Sequence, residues 1–234
     1  MLNSIAIITA RGGSKRIPRK NIKLFAGKPI IQYSIEAAKE SMCFDEVMVS
    51  TDDSEIAEFA LSLGATVPFM RSSSTSDDFS TTSDVLEEVI LKYKSMGKEF
   101  KSFCCLYPTA PFISAIILQS AYSKLINSGA DSVIPVVRFS PSIYRSFKTE
   151  NGFLKMNWPD NLNMRSQDLP ASFYDSGQFY FVNSAFFLRS KKIFGDFTLP
   201  IELSFMEVQD IDTDRDWEVA ELKYELMKKF QSKK

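Results

Sequence analysis

The sequence IAIITARGGSKRIPRKN, residues 5–21, places an apolar run directly in front of a loop rich in glycine and cations. Residues 5–9 have the apolar, β-branched character of a buried strand. Residues 10–21 carry five cations, two glycines and no acidic residue. Open α/β sheets bind ligands where such a strand ends. We therefore expect an α/β fold with a positively charged pocket for a polyanion at this edge.

Strand and helix patterns alternate along the rest of the chain. Repeated βα units imply a mostly parallel sheet between two layers of helices. Residues 138–175 interrupt the alternation, and we expect a protruding arm there within a single domain over residues 1–234. Residues 231–234 are expected to fray. The predicted strands are 5–9, 46–50, 66–69, 102–106, 132–136, 178–182 and 202–208, and the predicted helices are 29–40, 53–63, 83–96, 114–128 and 214–230.

Composition excludes several classes of function. The net charge is −1 over 234 residues, so the basic loop is a local feature, and we expect no nucleic-acid partner. No apolar run approaches the roughly 20 residues that span a bilayer, and no signal peptide is evident, so we expect a cytoplasmic protein without a membrane partner. Cys43, Cys104 and Cys105 follow no metal-binding spacing and are interpreted as reduced core residues.

The chain contains no histidine. Serine–histidine and cysteine–histidine catalysis, histidine zinc sites and histidine general bases are therefore excluded. Any chemistry must use carboxylates, lysine, arginine, hydroxyls or a hard metal ion.

The basic loop has the composition of an anion site, although it contains neither a P-loop nor a GxGxxG motif. Glycines at 12 and 13 let backbone N–H groups approach an anion without obstruction from a Cβ atom. Arg11 can bind phosphate oxygens with two nitrogens, and Lys15 and Lys20 can act as point charges. Arg16 and Arg19 are interpreted as solvent-facing charges.

A second cluster of charge lies near the carboxyl end of the chain, in QDIDTDRD at residues 209–216. In an extended segment, Asp210 and Asp212 share a face and can point together into a pocket. Two carboxylates, triphosphate oxygens and water suit Mg²⁺, with Mn²⁺ as a substitute. Asp214 and Asp216 fall at the start of the last helix, where acids favour the helix dipole.

Several blocks of this sequence, in order, resemble one enzyme family over essentially the whole chain. These blocks are ARGGSKRIPRKN, NIKLFAGKPIIQYSIEAA, VMVSTDDSEIAEFA, YPTAPF at 107–112, RSQDLP at 165–170 and QDIDT at 209–213. They are similar to the cytidylyltransferases that activate nine-carbon α-keto acid sugars as CMP-sugars. YPTAPF, RSQDLP and DSGQFY resemble the pseudaminic acid branch more than the sialic acid branch. The resemblance implies a three-layer, Rossmann-like nucleotidyltransferase fold.

The resemblance also implies a nucleotide site. By this resemblance, Arg11 and Lys20 of this chain would bind and polarise the triphosphate, and Asn21 would lie against the nucleotide. Arg71 falls where the family has a nucleotide-contacting arginine, and Ser80 or Thr81 matches a hydroxyl that contacts CTP. Arg11, Lys20, Asp210 and Asp212 are the implied catalytic residues, with both aspartates as metal ligands. The predicted nucleotide-binding set is Arg11, Gly12, Gly13, Ser14, Lys15, Lys20, Asn21, Arg71, Ser80 and Thr81.

A sugar site is implied at the end of the strand before YPTAPF. The resemblance places sugar contacts around Tyr107 and Thr109, and sialic acid enzymes commonly have glutamine at the first of these positions. Arg165 is the preferred partner for the sugar carboxylate, with Arg138 and Arg145 as alternatives. Asp175, Gln178 and Tyr180 are predicted to contact acylamino and hydroxyl groups of the sugar, whereas Tyr174, Phe179 and Phe181 are interpreted as core or interface residues.

The function implied is transfer of CMP from CTP to the anomeric hydroxyl of a nine-carbon acidic sugar. Pseudaminic acid is the preferred acceptor, giving CMP-pseudaminic acid and pyrophosphate for glycosylation of surface structures such as flagellin. The alternatives are a CMP-sialic acid or CMP-legionaminic acid synthetase and, more remotely, a non-catalytic nucleotide-binding protein of this fold. No general base is identified, and a metal-bound water or Asp212 are both open. The arm at 138–175 is expected to form a homodimer.

Overall fold

The computed structural model describes residues 2–231, which form a seven-stranded sheet, two small hairpins and six α-helices. Gln231 belongs to the last helix, and the remainder of the segment expected to fray, 232–234, lies outside the described residues. The strands are β1 (Leu2–Thr9), β2 (Leu24–Phe25), β3 (Lys28–Pro29), β4 (Glu46–Ser50), β5 (Phe100–Leu106), β6 (Ser132–Arg138), β7 (Phe147–Glu150), β8 (Phe153–Met156), β9 (Phe173–Asp175), β10 (Phe179–Asn183) and β11 (Thr198–Leu203). The helices are α1 (Ile30–Ser41), α2 (Ser54–Ser62), α3 (Thr82–Ser95), α4 (Ala115–Ser128), α5 (Ser184–Ser190) and α6 (Asp214–Gln231).

The main sheet has the strand order β11-β6-β10-β5-β1-β4, and β9 pairs with β6 beyond the end of β10. Strands β4 and β5 flank β1 in parallel, and β11 is parallel to β6. Only β9 and β10 of these strands run in the opposite direction. The expected mostly parallel sheet is therefore confirmed. The carboxyl ends of β1, β4, β5, β6 and β11 meet at one edge of it.

The apolar faces of the helices place them on both sides of the sheet. Side chains of α1, α2 and α4 pack with Ala6, Ile8 and Leu106 on one face. Side chains of α3 and α5 pack with Ile7 and Phe103 on the other. This arrangement confirms the three-layer α/β architecture. Cys104 and Cys105 are fully buried within it as free thiols.

The last helix, α6, packs against the segment that follows β1 rather than against the sheet faces. Trp217 and Ala220 share a buried cluster with Ile17 and Phe25. The rings of Phe25 and Trp217 meet edge to face, with centroids 5.6 Å apart. Because residues 209–213 lead directly into α6, this packing brings the carboxyl-terminal aspartates beside the basic loop.

Two predicted strands differ from the structure. The strand expected at 66–69 is wrong, since only Thr66 bridges to Met48, and Pro68 has no N–H with which to continue a ladder. The strand expected at 202–208 is wrong beyond residue 203 and begins earlier than expected, at Thr198. Strand β11 ends at Leu203, and Ser204 and Glu207 form a capping box around a 3-10 turn.

The stretch 138–175 contains the hairpin β7–β8, whose residues are nearly all exposed. Its large apolar side chains Phe147, Phe153 and Leu154 are exposed to 56%, 74% and 72%. Its role in dimerisation stays a prediction. In the described part of the chain, no helix combines the length and the apolar character needed to cross a membrane.

Candidate active site

A cavity of about 290 Å³ lies at the carboxyl edge of the sheet. It opens between the loop that follows β1, the loop 71–82 that leads into α3, and the residues after β5. These three segments supply most of the side chains predicted to bind the nucleotide. Those that line the cavity are Arg11, Ser14, Lys15, Lys20, Asn21, Arg71, Ser80 and Thr81.

Two cations of the loop are already paired with an acid. The Arg11 guanidinium donates to a carboxylate oxygen of Asp78 at 2.9 Å and to the carbonyl oxygen of Asp77 at 3.0 Å. Lys15 binds the other carboxylate oxygen of Asp78. The lysine hydrogen bond lowers the pKa of Asp78, so this carboxylate stays ionised. Loop 71–82 therefore brings negative charge of its own to the expected positively charged pocket, whose lining still contains five cations against two acids.

The first glycine of the loop, Gly12, serves a different purpose from the one expected, whereas the anion-binding role of Gly13 stays a prediction. The N–H of Gly12 donates to Asp52 at 2.9 Å instead of facing the cavity. A Cβ atom at Gly12 would lie 2.7 Å from Oδ2 of Asp53, so only glycine fits there. At Gly13 a Cβ atom would meet nothing within 4 Å. Close approach to α2, rather than an open anion nest, therefore explains the first glycine.

Arg16 and Arg19 are exposed to solvent, as expected, and each also pairs with an acidic residue. Arg16 donates to Asp212 at 2.7 Å. Arg19 binds Asp53 at 2.5 Å and also pairs with Glu55. Because Asp53 caps the start of α2, the Arg19 pair fastens the loop to that helix.

Lys20 and Asn21 lie deeper in the cavity. The Lys20 ammonium donates to the carbonyl oxygen of Ile211 at 2.6 Å and lies 3.7 Å from Asp212. Burial lowers the pKa of Lys20, and Asp212 opposes that shift. The Asn21 side chain is buried and donates to the carbonyl oxygen of Arg11 at 2.8 Å, so it fixes the curve of the loop.

Arg71 is held by the end of β4. Its guanidinium is buried and donates to the carbonyl and hydroxyl oxygens of Ser50 at 2.5 and 3.1 Å. Burial lowers the pKa of this guanidinium. Thr81 caps α3 by exchanging hydrogen bonds with Asp84, and Ser80 binds Asp77 within the loop. Both hydroxyls nonetheless border the cavity.

Asp210 and Asp212 do not line the cavity themselves, but Asp212 pairs with Arg16 and lies 3.7 Å from Lys20, and both of these cations line it. The charges of the two aspartates repel each other. Burial, and then the charge of Asp212, raise the pKa of Asp210. In the described part of the chain, no group of three or more histidine, cysteine, aspartate or glutamate side chains could hold a metal ion. Two neighbouring carboxylates nevertheless suit Mg²⁺, which keeps several waters and substrate oxygens as ligands. The residues present therefore fit a metal ion that arrives with a triphosphate.

The predicted sugar residues divide into two groups. Tyr107 and Thr109 line the cavity. The ring of Tyr107 meets that of Tyr180 edge to face at 5.8 Å, and burial raises the pKa of both phenols. Tyr180 donates its hydroxyl to Asp175 at 2.7 Å. Tyr180 and Asp175 thus support Tyr107 from behind, and they do not line the cavity themselves.

Arg165 and Gln178 do not line the cavity, although the backbone carbonyl of Gln178 accepts a hydrogen bond from Tyr107, which does. Arg165 is exposed on the arm and pairs with Asp168 at 2.8 Å. Gln178 is buried, and its amide donates to the carbonyl oxygen of Glu207 at 2.6 Å. Their sugar-binding roles stay predictions, as does that of Arg138, which lies in a separate cavity at the base of the arm.

Sequence reasoning missed the acids that face the basic loop. Asp52, Asp53, Asp77 and Asp78 follow the end of β4 or lie in loop 71–82. The pair of aspartates directly after a strand was a usable signal, because the carboxyl end of β4 must lie beside that of β1. Nothing local in residues 77–78 indicated that they reach Arg11.

Comparison with known proteins places the chain in context. The family model described as Cytidylyltransferase matches residues 5–233. A pseudaminic acid cytidylyltransferase of Campylobacter jejuni is 41% identical over 226 residues, covering 96% of this chain and 97% of that protein. A CMP-N,N'-diacetyllegionaminic acid synthase of Legionella pneumophila is 36% identical over 228 residues, covering 95% and 96%. The solved structure of a CMP:2-keto-3-deoxy-manno-octonic acid synthetase complexed with CTP superposes with a TM-score of 0.71 at 18% identity, covering 97% of this chain and 99% of that one, which shows a shared fold.

Proposed function

The chain belongs to the cytidylyltransferase family, and we propose that it transfers CMP from CTP to the anomeric hydroxyl of pseudaminic acid, a nine-carbon acidic sugar. The products are CMP-pseudaminic acid and pyrophosphate. The observation that carries this proposal is one cavity in which Arg11 and Lys20 face the rim residues Tyr107 and Thr109. The 41% identity to the Campylobacter enzyme supports the choice of sugar.

The reaction is an in-line displacement at the α-phosphorus of CTP. A bond forms between the anomeric oxygen and phosphorus, the bond to the bridging oxygen breaks, and pyrophosphate leaves with the electron pair. Arg11 and Lys20 bind the triphosphate and neutralise the charge that develops on it. Asp212, which lies 3.7 Å from Lys20, is the candidate carboxylate to accept the hydroxyl proton.

Asp210 and Asp212 would hold Mg²⁺, with Mn²⁺ as a substitute. When bound, the metal ion supplies charge neutralisation of the triphosphate. The protein's own contribution is to hold both carboxylates beside Lys20, whose ammonium lies 3.7 Å from Asp212. Binding of a metal ion to Asp212 would require Arg16 to release that carboxylate. Because Arg16 also lines the cavity, its guanidinium could then pair with the triphosphate.

Sugar recognition is assigned to the rim formed after β5. Tyr107 presents a largely buried aromatic ring, with its backbone carbonyl fixed by the Ser34 hydroxyl at 2.8 Å. An aromatic surface suits the methyl-bearing tail of pseudaminic acid. Arg165 is proposed to bind the sugar carboxylate, which requires it to leave Asp168 or to act from a second subunit.

We assign the arm at 138–175 to a homodimer interface. Support comes from the exposed large apolar side chains of its hairpin, which would be covered in a dimer interface. A dimer would allow the Arg165 of one protomer to reach the cavity of the other. Light scattering on the purified protein tests this, and a fully active monomer would contradict it. The reaction itself belongs in the cytoplasm, where CTP is made.

A panel of purified sugars tests the function. Pyrophosphate release from CTP is measured with pseudaminic, legionaminic, sialic and 2-keto-3-deoxy-octonic acids at equal concentration. We expect the highest kcat/KM with pseudaminic acid. Preference for legionaminic acid would favour the second candidate, which the 36% identity to the Legionella enzyme supports. Binding of CTP without pyrophosphate release from any sugar would favour a non-catalytic nucleotide-binding protein.

A further inference from the structure

Lys223 is a buried lysine on α6, with 8% of its surface exposed. Its ammonium donates to the carbonyl oxygen of Val208 at 2.8 Å and to that of Phe205 at 3.2 Å. It also lies 3.8 Å from the centre of the Phe205 ring. Among the described residues it makes no ion pair, and burial lowers its pKa. A charge removed from water without a carboxylate partner is unfavourable, so its contacts call for an explanation.

The carbonyls that Lys223 holds belong to the turn that leads into the acidic segment. The 3-10 turn Phe205–Glu207 follows β11, and Asp210 lies two residues after Val208. Gln178 holds the intervening carbonyl of Glu207 from the other side at 2.6 Å. The carbonyl oxygens of residues 205, 207 and 208 are therefore held by the side chains of Lys223 and Gln178.

The far side of the acidic segment is fixed as well. Lys20 holds the carbonyl oxygen of Ile211, whose side chain is buried. Asp216 accepts hydrogen bonds from the N–H groups of Asp212 and Thr213 at 3.2 and 2.8 Å. Asp212 is thus anchored by its own neighbours, whereas the backbone on the amino-terminal side of Asp210 is held by Lys223 and Gln178.

Such an anchor matters because the two carboxylates repel each other. Without a fixed backbone, Asp210 would turn away from Asp212 toward water, and the pair would reform only when a metal ion bound. Holding the turn keeps both acids at one place before the metal arrives, which lowers the conformational cost of binding it.

We propose that Lys223 is a positioning residue for the metal site, because it fixes the backbone at 205–208, which leads into Asp210. It contacts neither substrate nor metal, and it acts through the backbone. The proposal rests on the proposed function, in which Asp210 and Asp212 bind the metal ion that accompanies CTP.

The test is a Mn²⁺ titration of the CTP complex, followed by the relaxation of water protons, for the wild-type protein and Lys223→Met. Removal of an outer partner of a metal ligand weakens metal binding by roughly 10- to 100-fold, and we expect at least about tenfold here. Calorimetry of CTP binding in excess chelator should change by less than about twofold, since Lys223 lies outside the cavity. Lys228→Met, an exposed lysine of the same helix, should leave both values unchanged.

Unchanged Mn²⁺ affinity in folded Lys223→Met would overturn the proposal. So would an equal loss of metal-free CTP binding, because that result indicates a general structural role. If Lys223→Met fails to fold, Lys223→Gln keeps a hydrogen-bond donor and should weaken Mn²⁺ binding severalfold; an unchanged value would again overturn the proposal. A wild-type protein without any CTP-dependent Mn²⁺ site would instead contradict the proposed function at its metal site.

Discussion

Arg16 donates to the carboxylate of Asp212 at 2.7 Å across 196 positions of sequence. This pair joins the basic loop near the amino end of the chain to the acidic segment near the carboxyl end. It exists because α6 packs its Trp217 into the cluster that contains Ile17, the residue next to Arg16. The charges assigned to triphosphate and metal are therefore held together before either ligand binds.

Asp212→Asn should lower kcat by at least about 100-fold at limiting Mg²⁺, the scale of losing one preorganised electrostatic element. The physical reason is loss of a metal-ligating negative charge beside Lys20. Pyrophosphate release at several Mg²⁺ concentrations measures the effect. Asp214→Asn is a matched control, since Asp214 pairs with Lys23 at the start of α6, and we expect it to change kcat by less than about threefold. Near-normal turnover of Asp212→Asn would contradict the assignment.

Asp78→Asn should tighten CTP binding, by about two- to thirtyfold at low salt. The Asp78 carboxylate pairs with both Arg11 and Lys15, so it competes with the triphosphate for the same cations. Each of these two exposed ion pairs contributes about 0.2–1 kcal/mol, and both are lost in the variant. Calorimetry measures the dissociation constant, and the difference from wild type should shrink at about 1 M salt, where screening is strong.

The control for Asp78→Asn is Asp160→Asn, which removes the same charge from the exposed part of the arm. It should leave CTP affinity unchanged within about twofold. Weaker CTP binding by Asp78→Asn would show that this carboxylate helps to hold the nucleotide and does not compete with it.

Asp210→Asn should raise the thermal midpoint of the metal-free protein at neutral pH, by no more than about 2 °C because Asp210 is partly exposed to solvent. The pKa of Asp210 is raised in the folded state, so its contribution to stability is present at low pH and is lost as pH rises through that folded value. At neutral pH its ionised form therefore destabilises the fold, and asparagine removes the charge.

The raised pKa of Asp210 also predicts how the stability difference between Asp210→Asn and wild type depends on pH. The difference in melting temperature between Asp210→Asn and wild type should shrink as pH falls toward the ordinary aspartate pKa, because Asp210 then takes up a proton. Differential scanning calorimetry in chelator at several pH values measures it. A variant less stable than wild type at neutral pH would show that the ionised carboxylate of Asp210 does not destabilise the folded state.

Gly12→Ala should destabilise the protein by about 1–3 kcal/mol, the range for overpacking at a filled site. The new Cβ atom would lie 2.7 Å from Oδ2 and 2.9 Å from Cβ of Asp53. Asp53 cannot easily move, since it caps α2 and binds Arg19. Urea unfolding measures the change in free energy.

Gly13→Ala is the matched control for this pair of glycines. A Cβ atom there would meet nothing within 4 Å, so we expect a change of less than about 0.5 kcal/mol. Equal destabilisation by the two variants would refute the steric explanation for Gly12.

Much of the fold follows from the sequence, because hydrophobic period and turn residues are local signals. The run before Arg11 forms β1, and glycines 64, 97 and 129 follow helices that were predicted to end there. Predictions from local sequence were wrong where secondary structure depends on a pairing partner that is distant in sequence. Residues 66–69 have strand character but find a pairing partner only at Thr66.

The sequence by itself determined the class of the site: a glycine-rich cationic loop after the first strand, a pair of aspartates two residues apart, and no histidine. Only the tertiary structure decided how these charges are arranged. It pairs Arg11 with Asp78, pairs Arg16 with Asp212, and sets Lys223 against the turn that precedes Asp210. The reason is physical: residue type fixes which charges a chain has, whereas the packing of helices such as α6 fixes which charges meet.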